Sequence, residues 1–347
     1  MRSIVPTIDL SGWASGDPQV RAALAAEIDE ACRTVGFLEV TGHGVDPGLI
    51  ERMLAVTSEF FDLPEDEKLR YVPPSPAINR GYARLGSEAL AYSLGLDTKP
   101  DLFEAFNMGV EGWPEDDPYF ADHAQGFFAR NIWPERPAEL REVWVAYFAA
   151  ACSLAQRLMD IFAVALGLPE QFFVPSYDKA PNVMRANNFE RRAGAPEAEP
   201  GQMRMGAHSD YGSCTVLLAD PVPGLQILGV DGSWHDVVPR PGSFLVNLGD
   251  LLAEWTNDRW LATVHRVVPP PPGTGGPFRR RSIAFFHEAN YDFLVECLPT
   301  CVSADRPAKY PPVTAGDHLL AKLMGPRTLR KSDALSTLGD REPLAGA

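Results

Sequence analysis

Beyond Pro175 the chain breaks into short apolar runs punctuated by Gly and Pro: NVMRANNFE, SCTVLLAD, GLQILGV, SWHDVVP, SFLVNLGD, TVHRVVP and RRSIAFFHEA. Runs of this length are too short for ordinary helices. Seven or eight of them in succession predict an antiparallel sandwich or barrel of jelly-roll type. Two stretches between them, RRAGAPEAEPGQMRM and PPPPGTGGP, read as excursions from the strands.

The first half has another texture. VPTIDLS reads as a short strand. DPQVRAALAAEIDEACRTVG follows with Val20, Leu24, Ile28, Ala31 and Val35 at helical spacing, and Gly36 placed to end the helix. FLEVTGHG is a strand entering a turn. DPGLIERMLAVTSEFFDLP is a second amphipathic helix with Leu49, Met53, Val56 and Phe60 on one face. From Tyr71 to about Gly109 the pattern is irregular, and a long helix is expected from roughly Ala138 to Leu166. The division is an amino-terminal region over 1–115, a long connecting helix within 116–175, a sandwich core with a late helix over 176–332, and a loose tail over 333–347. The helical faces need a sheet to cover, so one joint core is expected.

A net charge of −15 would be repelled by a phosphate backbone or an anionic membrane surface, so neither is an expected partner. The amino terminus carries no apolar run of signal-peptide length, and the longest charge-free helical stretch, Val143 to Gln156, is too short to span a bilayer. Five cysteines, an odd number without paired Cys-x2-Cys spacing, fit free thiols in a cytoplasm.

The candidate chemistry begins at GAHSDYG. His208 and Asp210 share a face if the stretch is a strand, and could converge on one ion. About one His-x-acid triplet is expected by chance in such a chain, so the triplet alone decides nothing. His265, in TVHRVV, adds a second imidazole on another strand. Two histidines and one carboxylate leave three positions of an iron ion open, as in non-haem Fe(II) oxygenases. In RRRSIAFF, Arg280, Ser282 and Ala284 share one strand face, and Arg281 and Ile283 the other. An inward Arg280 needs an anion, and a carboxylate suits its fork. His43, His123, His235 and His318 lack comparable partners and read as structural or solvated. His287 either borders a pocket or packs in a sheet face. Cys214 reads as a core thiol and Trp255 as packing.

Taken together these stretches resemble the isopenicillin N synthase-like group of Fe(II)- and 2-oxoglutarate-dependent oxygenases over nearly the whole chain. VPTIDLSGW, GFLEVTGHGV and FFDLPEDEKLR are similar to its amino-terminal region. RGYARLGSE and KPDLFEAFNMG are similar to its middle. AHSDYGSCTVLLAD, SFLVNLGDLLAEWTNDRWLATVHRV and RRSIAFF are similar to its catalytic core. The resemblance implies a mixed α/β fold with a distorted double-stranded β-helix core. It implies Fe(II) held by His208, Asp210 and His265, and 2-oxoglutarate held by Arg280 and Ser282 with Asn187 near its other end. O2 is then the second cosubstrate, and a small molecule is hydroxylated or desaturated with release of succinate and CO2. Phe189 stands where many members carry tyrosine. Arg185, Phe189, Phe286, Tyr82 and Phe106 are candidates for the substrate pocket, each also a candidate for plain packing. Two readings stay open beside the first: an Fe(II) oxidase that does not use 2-oxoglutarate, or an enzyme that fragments it to ethylene. A third is a catalytically silent jelly-roll protein that keeps the metal. Oligomeric state is not legible.

Overall fold

The computed structural model describes residues 3–114, 116–121, 126–274 and 277–328. His123 and the proposed tail over 333–347 lie outside the described residues. The helices are α1 (Pro18–Thr34), α2 (Pro47–Phe61), the single turns α3 (Glu65–Lys68) and α4 (Pro118–Ala121), α5 (Leu140–Ala165), α6 (Asp250–Trp255) and α7 (Ala315–Thr328). The strands of the first half are β1 (Thr7–Asp9), β2 (Phe37–Thr41), β3 (Gly81–Ala83) and β4 (Glu104–Gly109). Those of the second half are β5 (Val183–Arg191), β6 (Met205–His208), β7 (Cys214–Ala219), β8 (Leu225–Leu228), β9 (Trp234–Asp236), β10 (Phe244–Leu248), β11 (His265–Val267), β12 (Phe278–His287), β13 (Leu294–Val295) and β14 (Val313–Thr314).

An eight-stranded sheet runs β1-β2-β10-β7-β12-β5-β4-β3, and a four-stranded sheet runs β6-β11-β8-β9. All pairs are antiparallel except β1 with β2. The amino-terminal strands therefore belong to the major sheet and form no separate unit. The stretch from Tyr71 to Gly109, irregular by sequence, contributes β3 and β4 to that sheet. β4 is buried along its whole length, so it lacks the in–out alternation that marks a strand with one wet face. The minor sheet contains one strand that local pattern did not announce, β6, which begins where the polar excursion ends.

The main core lies between the major sheet and α1, α2 and α5. Asp17 and Asp46 cap the two amphipathic helices through their side chains, and each helix starts with proline. Val20 faces solvent rather than the core, 40 % exposed. Helix α5, with 26 residues, is long and apolar enough to cross a membrane. Here twelve of its residues are buried in the core, Trp144, Leu154 and Phe162 among them. A second cluster, including Phe103, Phe189, Ile227 and Val267, fills the space between the two sheets.

Candidate metal centre and cosubstrate cavity

The site lies inside the sandwich, and both sheets build it. β6 and β11 pair with His208 directly opposite His265, and their ring centroids are 4.3 Å apart. Asp210 is not on the strand, because β6 ends at His208. The expected i, i+2 strand geometry is thus replaced by an irregular loop. Its position is set by the start of α6, where the Asp250 N–H donates to the Asp210 carbonyl at 2.8 Å. Nε2 of each histidine lies 3.8 Å from Asp210 Oδ1. The candidate ligand atoms of all three residues fall within 4.8 Å of one another.

The surroundings orient these groups as ligands. His208 Nδ1 donates to the Gly206 carbonyl at 2.8 Å and His265 Nδ1 to the Thr263 carbonyl at 3.1 Å. That tautomer leaves both Nε2 lone pairs free toward the centre. Burial, and then the neighbouring His265, depress the His208 pKa, so its imidazole is neutral. Burial opposes ionisation of Asp210, but the two histidines and hydrogen bonds from Asn247 and Thr215 outweigh it and lower its pKa. Those two bonds come from Asn247 Nδ2 at 2.7 Å and Thr215 Oγ1 at 2.5 Å, both to Oδ2. Asn247 and Thr215 are register partners on β10 and β7. The major sheet therefore holds one side of the carboxylate while the other faces the histidines.

A cavity of about 210 Å³ opens from this centre. Its floor is one face of β5 and β12, where Phe189 pairs with Arg280, Asn187 with Ser282, Arg185 with Ala284, and Val183 with Phe286. All eight line the cavity. Arg281, one residue out of phase, faces away and binds Asp220. Arg280 is 1 % exposed, and its Nε has no partner among the described residues. Its guanidinium stands 5.3 Å from the Phe189 ring centroid. Burial lowers it to about 10, with Asp220 opposing, so it stays a cation. Asn187 Nδ2 donates weakly to Ser282 Oγ at 3.4 Å. A buried guanidinium with an orphaned donor beside a hydroxyl is a cradle for an anionic oxygen ligand.

Arg185 both lines this cavity and pairs with Glu88 at 3.0 Å, its Nε donating to Asn187 Oδ1 at 2.9 Å. Tyr82 and Phe106 do not line it, which corrects the sequence expectation. In β4, Ala105 is the residue opposite Asn187, and Phe106 points to the other face. Phe106 packs there on Phe60 and Trp144, and Tyr82 on Phe60. Phe285 likewise meets Phe148 of α5. His287 is buried against Tyr177 and Phe285 and takes the sheet-face role. His43 bonds the Gly242 carbonyl at 2.8 Å, His235 sits on the edge strand β9, and Cys214 and Trp255 are buried in the core.

Several residues in and around the cavity escaped sequence reasoning. Leu319, Leu320 and Leu323 of α7 cover one side, and Lys322 pairs with Asp250 at the start of α6. Glu88 and Glu288 also face in. Arg204 is a second buried guanidinium, 3.8 Å from the Phe278 ring, with Nη1 unpartnered among the described residues. Burial and then the charge of Arg280 lower it to about 10. Arg204, just before β6, and Arg280, near the start of β12, come close only in the tertiary fold, and no local pattern signals it.

Residues 5–136 match the family described as non-haem dioxygenase in morphine synthesis, N-terminal, and residues 181–289 match the 2OG-Fe(II) oxygenase superfamily. The chain is 34% identical over 316 residues to a 2-oxoglutarate-Fe(II) type oxidoreductase of Emericella nidulans, across 90% of this chain and 87% of that protein. The chain belongs to the Fe(II)- and 2-oxoglutarate-dependent oxygenases. Another oxygenase relative, validamycin A dioxygenase of Streptomyces hygroscopicus subsp. limoneus, is 33% identical across 93% of this chain and 86% of that one. Among solved structures, a Neurospora crassa protein in complex with α-ketoglutarate and thymine superposes with a TM-score of 0.79. It is 29% identical, over 92% of this chain and 96% of that one. The fold of this family is the double-stranded β-helix seen here, and its cofactors are Fe(II) and 2-oxoglutarate, with O2 as cosubstrate. The protein is an enzyme of this type, acting on small molecules.

Proposed function

We propose that His208, Asp210 and His265 hold Fe(II), and that Arg280 and Ser282 bind the far carboxylate of 2-oxoglutarate. The observation that carries this is the buried Arg280 guanidinium, its Nε without a partner among the described residues, in the same cavity as the three ligands. Two neutral imidazoles and one carboxylate cancel half the charge of a divalent iron and leave three positions for exchangeable ligands. When bound, iron would let O2, a four-electron oxidant, take two electrons from 2-oxoglutarate, which leaves as succinate and CO2, and two from a substrate C–H bond. The chain's own part is positional. Arg280 fixes the oxoacid's distal end, Phe189 supplies an apolar wall, and Asn187 bridges Ser282 to Arg185. The α7 leucines and Phe286 exclude water from the chamber where substrate packs.

Hydroxylation or desaturation is the reading these residues favour over an oxidase that dispenses with the oxoacid or an ethylene-forming route. The family match and the α-ketoglutarate-bound neighbour support the oxoacid as the occupant of the carboxylate cradle, and nothing in the cavity lining selects the ethylene route. Relatives named for substrates as unlike as validamycin A and thymine-bound neighbours share this scaffold, so the cavity lining decides the substrate. A cytoplasmic location is proposed on the five free cysteines. The test is anaerobic reconstitution with Fe(II), addition of 2-oxoglutarate, and a search for the weak metal-to-ligand absorption band of the chelate, followed by O2 and assays for succinate and ethylene. A band and succinate are expected. Their absence refutes the reading, and ethylene as main product selects the fragmentation route. His265→Ala is expected to keep the far-ultraviolet dichroism and lose iron-dependent turnover; full turnover would remove His265 from the ligand set.

A further inference from the structure

Once iron and the oxoacid are assigned their residues, one charged side chain lining the cavity has no partner among the described residues. Glu288 lines the chamber and is 8 % exposed. It continues the alternation of Ala284 and Phe286 one step past the end of β12, and its N–H donates to Asn182 Oδ1 at 2.9 Å, which pins the backbone there. Its carboxyl makes no hydrogen bond or ion pair with any described residue. The other charged groups facing the chamber are committed. Arg80 donates to the carbonyls of Asn79, Phe127 and Ala129. Arg185 and Glu88 pair with each other. Asp210 and Arg280 belong to the metal and cosubstrate sites.

The place of the carboxyl is built rather than incidental. A Cβ added at Gly212 would come within 2.3 Å of Glu288 Oε2, so the missing side chain there makes its room. Gly212 stands two residues from Asp210, which puts the carboxyl beside the loop that carries the metal ligand. Burial, and then the charge of Asp210, push Glu288 up to about 8. Val183, Phe286, Leu319, Leu320 and Leu323 give the chamber apolar walls, and an apolar wall does not offset a buried charge.

We propose that Glu288 is a specificity-determining residue that binds a positively charged nitrogen of the substrate, an amine, amidine or guanidinium borne on an apolar body. This rests on the reading of the cavity as the substrate chamber of the oxygenase. A cation supplies the partner that the fold withholds, and the charge-assisted hydrogen bond it makes in this dry chamber is of the strong kind. Because the carboxyl abuts the Asp210 loop, a nitrogen held there keeps the adjoining part of the substrate near the metal centre. A neutral molecule of the same shape gains no such bond.

The test uses the full chain loaded with Fe(II) and 2-oxoglutarate under argon, with n-butylguanidinium and its neutral isostere N-butylurea titrated by calorimetry. The guanidinium is expected to bind ~10-fold or more tightly than the urea. Glu288→Gln is expected to abolish that preference while the 2-oxoglutarate absorption band persists. Glu288→Asp, which keeps the charge but withdraws it, is expected to retain a reduced preference and covers the case in which the glutamine variant fails to fold. Equal affinities in the unaltered protein, binding of neither probe, or a preference that survives in Glu288→Gln overturns the proposal. Absence of the band in the unaltered protein is a separate outcome that refutes the oxygenase assignment of the residues instead.

Discussion

Replacing Arg280 tests the cosubstrate site most directly. The guanidinium is 1 % exposed, its Nε is unpartnered among the described residues, and Phe189 offers only a ring face. A carboxylate bound there would make its strongest contact with this group. Removing one member of a buried, hydrogen-bonded charge pair costs on the order of 2–5 kcal/mol. Arg204 nearby keeps some positive potential in the Arg280→Ala variant, which favours the lower half of that range. About 3 kcal/mol corresponds to a rise of ~150-fold in the 2-oxoglutarate Kd. Arg280→Lys keeps the charge but loses the two-pronged geometry, and a rise of ~10-fold is expected. The assay is anaerobic titration of the absorption band. Thermal melting adds a second readout. Without ligand the buried guanidinium is a cost to folding, so Arg280→Ala is expected not to lower Tm, whereas the stabilisation conferred by 2-oxoglutarate is expected to disappear. An unchanged Kd in Arg280→Ala would refute the assignment.

Two further predictions concern the supporting residues. Asn247→Ala removes the 2.7 Å bond to Asp210 Oδ2 and leaves Thr215 alone to orient the carboxylate, so iron affinity measured by chelator competition is expected to fall ~10–100-fold; unchanged affinity would show that the bond does not orient the ligand. His287 is held at about 4 by burial, against 6.5 for a free imidazole. The unfolded chain takes up a proton below 6.5 that the folded protein refuses until about 4, so stability rises with pH across that window and is lost as pH falls through it. His287→Leu is expected to reduce the stability difference between about pH 7 and about pH 4.5 by ~2–3 kcal/mol, read from urea midpoints; parallel curves for the two proteins would show that His287 is not the group responsible.

What sequence determined on its own is what depends on spacing along one strand. Arg280 and Ser282 share a face because side chains alternate with period two, and Arg185, Asn187 and Phe189 follow the same rule on β5. The residue types of the metal site, and the helix faces of α1 and α2, are local in the same sense. Tertiary pairing decided the rest. Period two says that Tyr82 and Phe106 have neighbours on one face, but only the register of β4 against β5 says which face meets the helices. Asp210 reaches the centre from a loop because α6 and the major sheet hold it, not because a strand continues. The leucines of α7 and Glu288 beside Gly212 enter the chamber, and Arg204 comes near Arg280, through contacts between segments far apart in the chain. Such contacts are chosen by how whole sheets and helices bury their apolar faces together, and no window of sequence carries that information.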